Sequence, residues 1–208
     1  TFSATVTDQC GNNTEVSCEQ SIVVEDIAGP SLNEAMDATV ECDGAGNSSD
    51  LQAWLANQGG ASAFDGCSDV TWTNDFDALS NDCGATGTAT VTFTAMDDCS
   101  NAASTVATFT IEDTTAPSME EAVTVTVECD GAGNAAELEA WLASNGGAFA
   151  NELCGAISWS NDFVALSDDC GASAAATVVF TATDECGNAT STTASFLIED
   201  TQAPIIEA

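Results

Sequence analysis

Two side-chain types in this chain can do chemistry: the thiol of cysteine and the carboxylate of Asp and Glu. There are 10 cysteines and 34 acids, and no Lys, Arg or His. Thiols in such numbers form disulfides, and carboxylates bind hard cations. Little else is open to them. No imidazole serves as a base near neutral pH, and no cation can clamp a phosphate or an oxyanion. Ser–His triads, His-ligated zinc and P-loops are therefore excluded. A carboxylate-pair hydrolase remains formally possible. The acids recur in duplicated segments, which favours a non-enzymatic reading.

The cysteines are periodic. Cys42 and Cys129, Cys67 and Cys154, Cys83 and Cys170, and Cys99 and Cys186 are each 87 residues apart, as are Pro30, Pro117 and Pro204. A period of that length means tandem domains. Repeated cysteines without any CxxC pair read as disulfides in an oxidising, extracellular compartment rather than as a zinc site. The formal charge is −34. Like charge excludes nucleic acid and anionic membrane surfaces as partners, and self-repulsion requires screening by outside cations. Yet 44% of the residues are hydrophobic, enough to build cores. No signal peptide, membrane span or sorting signal is recognisable. The chain begins in mid-pattern, so it is expected to be an excerpt of something longer.

The elements that must position these groups follow from the repeat. Residues 29–115 and 116–202 are two full copies. Residues 1–28 match the end of a copy, TVTDQCGN against TATDECGN, and residues 203–208 begin another. Within a copy, Ala38 to Cys42 reads as a strand, followed by a DGAGN turn. In SSDLQAWLANQGG, Leu51, Trp54 and Leu55 have helical spacing, with Ser48 or Ser49 as cap and Gly59-Gly60 as terminator. Leu138, Trp141 and Leu142 repeat it. Val70 and Trp72, then Val91, Phe93 and Ala95, then Ala107, Phe109 and Ile111 alternate as strand faces; Ile157 and Trp159 match the first pair. DDCSN and DECGN are hairpin loops. The expected fold is mainly β: tandem immunoglobulin-like antiparallel β-sandwich repeats, each with one short inserted helix. The Trp residues belong to apolar faces, which favours core packing over a ligand platform.

Disulfide pairing follows from the poles. Let the chain enter each sandwich at a near pole and leave at a far pole. The last strand runs to the far pole, so the hairpin loop with Cys99 lies at the near pole. Cys83, one strand earlier, lies at the far pole, roughly 30 Å away at about 3.3 Å per residue, too far to bond Cys99. The first strand parallels the last, which puts Cys42 at the far pole. Cys67 precedes a strand antiparallel to the Phe93 strand and starts at the near pole. The expected bonds are Cys42–Cys83, Cys67–Cys99, Cys129–Cys170 and Cys154–Cys186. Each would contribute roughly 3–4 kcal/mol in the loop-entropy account. Cys10 and Cys18 belong to the truncated copy, with partners upstream.

The same geometry gathers acids at the junctions. Asp97 and Asp98 approach Glu25 and Asp26, and Asp184 and Glu185 approach Glu112 and Asp113. Such clusters are suitable calcium ligands; the competing reading is that they are solvated turn residues. An EF-hand in DGAGN fails, because the twelfth position from Asp43 is Trp54 where a Glu is needed.

At TATDECGNATSTTASFLIEDTQAP the chain resembles hyalin-repeat and related immunoglobulin-like modules. The longer string VECDGAGN…LxAWLAxxGG…WxNDF…DCGA…TATDECGN resembles tandem repeats of very large bacterial surface proteins. The resemblance implies gliding motility, adhesion and type IX secretion. The helix and the four-cysteine set depart from the general hyalin repeat, and no carboxy-terminal sorting domain is present in these residues.

The expected function is mechanical: a stalk or filament segment of a large extracellular, cell-surface adhesin. It would be reinforced by disulfides, since without Lys no isopeptide bond can form, and stiffened by calcium. Its expected partners are neighbouring repeats of the same chain, other filaments or surface glycans, with no membrane insertion. The absence of Lys and Arg also removes every trypsin site. Asn12-Asn13-Thr14, Asn47-Ser48-Ser49 and Asn188-Ala189-Thr190 match the N-glycosylation pattern, and O-linked sugars on Thr and Ser are equally compatible. Two alternatives stand beside the stalk: a glycan- or protein-binding module, and a subunit that polymerises by donating residues 1–28 as a hairpin.

Overall fold

The structure, a computed structural model, describes residues 2–167 and 173–204. Cys170 and residues 205–208 lie outside them. A hairpin comes first, β1 (Phe2–Thr7) with β2 (Asn13–Cys18), exposed along its whole length. Two copies of one element order follow. The first holds β3 (Ser31–Asn33), β4 (Ala38–Glu41), α1 (Ser48–Ala56), β5 (Ser62–Phe64), β6 (Thr71–Asn74), β7 (Gly87–Met96) and β8 (Ala102–Glu112). The second holds β9 (Ser118–Glu120), β10 (Val125–Glu128), α2 (Ala135–Ala143), β11 (Phe149–Asn151), β12 (Ser158–Asn161), β13 (Ala174–Thr183) and β14 (Ala189–Glu199).

Alternation builds the main layer. Val91, Phe93 and Ala95 on β7 are fully buried, and Ala107, Phe109 and Ile111 on β8 nearly so. Their neighbours in sequence are mostly Thr and Ser, which face outward. Thr90 and Thr108 hydroxyls lie 3.2 Å apart across the two strands, and those of Thr94 and Ser104 3.0 Å. In a chain with no cation, hydroxyl pairs replace cross-strand ion pairs. The four-stranded sheet has the order β4-β8-β7-β6, repeated as β10-β14-β13-β12. β4 runs parallel to β8, Ala38 opposite Phe109, and the other pairs are antiparallel. Both relations agree with the sequence reading.

The second layer is thinner: a two-stranded ribbon, β3 with β5, together with α1. Trp54 of α1 packs edge-on against Phe93, with ring centroids 5.2 Å apart, and tilted against Phe109 at 5.4 Å. Its Nε1–H donates to the Met36 carbonyl at 3.1 Å. Trp141 repeats these contacts with Phe180, Phe196 and Val123. The Trp residues are core residues, so each repeat is a β-sandwich whose second sheet is mostly replaced by a helix.

The start of α1 corrects the sequence reading. Ser48 lies inside the first turn, and Asn47 is the cap residue, in the left-handed conformation at φ 47°. Asn47 is 2% exposed. Its Nδ2 donates to the Glu41 carbonyl at 2.9 Å and its backbone N–H to Asp43 Oδ1 at 2.9 Å; Asp43 N–H returns a bond to Asn47 Oδ1 at 3.1 Å. Asn tolerates positive φ and bonds locally, which neither Ser at that position matches. The exit differs too: α1 ends at Ala56 with Asn57 as its C-cap, and Gln58 turns left-handed at φ 52° ahead of the Gly59-Gly60 pair. Gly59 has φ 64°, and a Cβ there would meet Phe93 at 3.2 Å and Ala35 at 3.1 Å.

Candidate functional site: the junction between repeats

The far pole is built first by backbone. Cys42 N–H donates to the Glu112 carbonyl at 2.8 Å, carrying the β4–β8 ladder one residue further. Glu41 then holds the linker. Its carboxylate accepts from Thr114 N–H at 2.9 Å, Thr114 Oγ1 at 2.9 Å and Thr115 Oγ1 at 2.7 Å. These donors, the Thr114 N–H foremost, hold its pKa below the usual carboxylate range. Glu128 clasps Thr201 in the same way.

The near pole reaches back. Asp184 accepts from the backbone N–H of Cys186 and Asn188, each at 2.9 Å, which closes the β13–β14 hairpin loop. Asn188 Nδ2 bonds Asp184 at 3.0 Å and the Asp113 carbonyl in the linker at 2.9 Å. Asp97, Asn101 and Asp26 repeat the arrangement. Hairpin loop and preceding linker therefore touch at both junctions, through the Asn101 and Asn188 amides on linker carbonyls.

The disulfides overturn the expected pairing. Cys42 bonds Cys154, with Cα atoms 6.1 Å apart, and Cys83 bonds Cys186 at 5.1 Å. Cys42–Cys83 and Cys154–Cys186 do not form. Cys67 and Cys99 are free thiols, so Cys67–Cys99 does not form either; Cys129 is also free, and its expected partner Cys170 lies outside the described residues. The expected poles agree with where the cysteines lie. The bonds run across the gap to the next repeat and not within a pole. Backbone contact explains why the gap is short enough. Ala85 N–H donates to the Cys154 carbonyl at 2.8 Å. Gly44 lies so close that a Cβ would stand 2.6 Å from the Leu153 carbonyl oxygen, and Gly84, at φ 57°, faces the Cys154 carbonyl. Glycines at the far pole let the next repeat approach to disulfide distance. Cys10 and Cys18, on the exposed hairpin, are free.

The acids divide into two groups. Asp26 and Asp113 are drawn inward, Asp97 and Asp184 are buried in the hairpin loops, and Glu25, Asp98, Glu112 and Glu185 are exposed. Sequence reasoning missed Asp65 and Glu152. An oxygen of each lies within 4.8 Å of a carboxylate oxygen of Asp26 or Asp113 and of the sulfur of Cys67 or Cys154. A signal was available: each stands two residues before the second cysteine of its repeat. Asp113 is 9% exposed. One of its oxygens accepts from Thr115 N–H at 3.2 Å, and the other, Oδ2, is buried without a partner, as is Oδ2 of Asp26. Burial, with smaller contributions from Asp184, Glu152 and Glu41, pushes the Asp113 carboxyl above its ordinary pKa. Because Cys154 sulfur is committed to a disulfide, the second junction offers oxygen donors alone, a set that suits a hard cation.

Two of the glycosylation patterns are structural. Asn47 is buried in its turn, and the Asn188 amide is engaged at the junction, whereas Asn12 lies in the exposed β1–β2 loop.

No protein-family model and no curated protein sequence matches the chain. Solved structures do match, distantly. Drosophila N-cadherin EC1–4 is 11% identical with a TM-score of 0.32, over 83% of this chain and 50% of that one. Mouse clustered protocadherin PcdhgC3 EC1–3 is 13% identical with a TM-score of 0.29, over 96% and 77%. The tandem Ig repeats of Dlar are 13% identical with a TM-score of 0.23, over 83% and 100%. The chain thus spans half of the N-cadherin fragment it matches. Among the described residues no helix is long and apolar enough to cross a membrane.

Proposed function

We propose that the chain is a load-bearing stalk segment of a large extracellular surface adhesin, of the kind the hyalin-repeat resemblance implies. Its repeats would be 29–115 and 116–202, flanked by the tail of one repeat in 1–28 and the start of another in 203–208. The observation that carries this is the pair of disulfides across the junction. With the linker, they make three covalent ties between successive repeats. Three separated ties resist bending and twisting as well as extension, which a single linker cannot do. Disulfides also favour an oxidising compartment. Pulling single molecules by their ends tests the reading. Cys42–Cys154 bypasses a separation of 112 residues. Reduction should add on the order of 400 Å of contour length at about 3.6 Å per residue. Equal contour lengths before and after reduction would refute it.

Calcium at the junction is the second part of the proposal, and the unpartnered buried oxygen of Asp113 supports it. Asp113 and Glu152, beside Asp184, would hold the ion, which would supply the positive charge that the chain itself lacks. A calcium titration followed by melting temperature tests it. A rise is expected, and an unchanged transition at millimolar calcium would remove calcium from the proposal without touching the stalk.

A further inference from the structure

The Cys42–Cys154 bond closes over a cluster of carboxylates. An oxygen of Asp113, an oxygen of Glu152 and the Cys154 sulfur all lie within 4.8 Å of one another. Cys42 Sγ is bonded to Cys154 Sγ, so four donor groups meet there. They come from the residue just past β4 in one repeat, from the linker, and from the loop before β12 in the next repeat. Backbone fixes both carboxylates. Thr115 N–H donates to Asp113 Oδ1 at 3.2 Å, and the Leu153 and Cys154 N–H groups donate to Glu152 Oε1 at 2.6 and 3.1 Å. Asp113 is 9% exposed, and its Oδ2 is buried without a partner. Such anchoring orients a carboxylate for an ion as second-shell bonds do in metal sites.

With the disulfide closed, the sulfurs are spent and the oxygens suit the hard cation already proposed. Reduction changes the donor set. Two thiolates and two carboxylates then each bring a negative charge, and the chain has no Lys, Arg or His to oppose them. Sulfur turns the preference from calcium to a borderline cation that accepts tetrahedral S and O ligands. A tetrahedral zinc with bonds of about 2.3 Å holds two sulfurs about 3.8 Å apart. Cys42 and Cys154 need part by only about 1.7 Å from an ordinary disulfide to reach it.

We propose that the reduced junction binds one divalent cation of the zinc class through Cys42, Cys154, Asp113 and Glu152, so that a metal ties the seam before a disulfide does. This rests on the same Asp113 cluster as the calcium reading, in its other oxidation state. No CxxC spacing announces the site, because its two sulfurs belong to different repeats. The ion holds the right pair of sulfurs together and away from other thiols. Oxidation exchanges one tie for the other. One zinc-bound thiolate attacks a small-molecule disulfide such as oxidised glutathione and releases one glutathione thiolate. The second protein thiolate attacks the capped sulfur, forms Cys42–Cys154 and expels the second glutathione. Two electrons pass from protein sulfur to glutathione, the two glutathione thiolates take up two protons, and the zinc ion leaves.

The experiment uses the whole chain with every cysteine except Cys42 and Cys154 changed to Ser, reduced with a phosphine. Cobalt(II) is the optical probe for zinc. One cobalt per chain is expected, with a thiolate charge-transfer band and the visible bands of a tetrahedral ion, both erased by equimolar zinc. Asp113→Asn and Glu152→Gln should each weaken zinc by at least about 10-fold, with circular dichroism unchanged. Oxidation should release one zinc per disulfide formed, read with a zinc-sensitive dye. The lack of a thiolate band, or an unchanged affinity in both carboxylate variants, would overturn the proposal. If the multiple Ser variant loses its fold, the reduced parent chain carries the test. Cys42→Ser with Cys154→Ser must then remove one bound ion, and an unchanged count overturns the proposal. None of these failures bears on calcium, which is titrated into the oxidised chain, or on the stalk, whose pulling test needs no metal.

Discussion

Cys42 and Cys154 are separated by 112 residues in sequence and by 6.1 Å between their Cα atoms. One ends the first strand of a repeat's main sheet at the far pole; the other precedes β12 at the near pole of the next. The bond makes the fold of one repeat conditional on the placement of its neighbour, and the first prediction follows. Cys42→Ser with Cys154→Ser should lower stability by about 4–5 kcal/mol, the loop-entropy value for a closed loop of this size. Chemical denaturation under oxidising conditions reads it. A double variant as stable as the parent would show that the loop is already constrained in the unfolded chain.

Asp113 presents the opposite situation, a group whose charge opposes folding. Asp113→Asn keeps the oxygen that accepts from Thr115 and replaces the unpartnered oxygen with a donor facing Glu152. Removing an unsatisfied buried acceptor is worth about 1–3 kcal/mol. In a chelator the variant should melt higher, by about 2–4 °C per kcal/mol for a chain of this length. It should also lose any response to calcium. A parent and variant with the same calcium response would place the ion elsewhere.

Acid should loosen the linker. The pKa of Glu41 is lowered in the fold by the Thr114 and Thr115 donors, so it binds fewer protons folded than unfolded. Its contribution is present above the ordinary carboxylate pKa and is lost as pH falls through the lowered value. Asp43, Asp75 and Asp130 are lowered in the same way, chiefly by backbone N–H donors, and their contributions share that sign. Melting temperature should therefore fall on acidification below about pH 4. Glu41→Gln should show a shallower fall, and identical slopes would remove the clasp from the account.

Asn47 makes a sharper point about sequence motifs. Asn47→Ala would place Ala at φ 47° and leave the Glu41 carbonyl and the Asp43 N–H without their side-chain partners. A loss of about 2–3 kcal/mol is expected. In a host that glycosylates Asn, intact mass should show no glycan at Asn47. A glycan there would require the turn to open.

Strand faces were legible because alternation with period 2 leaves a clear record: Val91, Phe93 and Ala95 could point only one way together. The poles were legible because an antiparallel hairpin reverses direction by necessity. Disulfide pairing was not. Periodicity places Cys42 at the same pole as Cys83 and equally beside the next repeat's Cys154, and the 87-residue period is compatible with either choice. What decides is how closely two repeats approach, which depends on Gly44 and Gly84 meeting carbonyls of the following repeat. Of the candidate cation site, the linker and hairpin acids were legible from topology. Asp65 and Glu152 were not, because their loop has no strand periodicity to fix its direction.

The parallel pairing of β4 with β8 has a mechanical consequence. Once the Cys42–Cys154 bond is reduced, tension between the ends of a repeat draws β4 toward the near pole and β8 toward the far pole. The hydrogen bonds of the register from Ala38–Phe109 to Glu41–Glu112 then lie across the line of pull. They are loaded in shear and must yield together, whereas a hairpin pulled apart at its open end unzips one bond at a time. The cysteine bonds at the seams carry the load first, and the sheared strands take it up only when those bonds are opened.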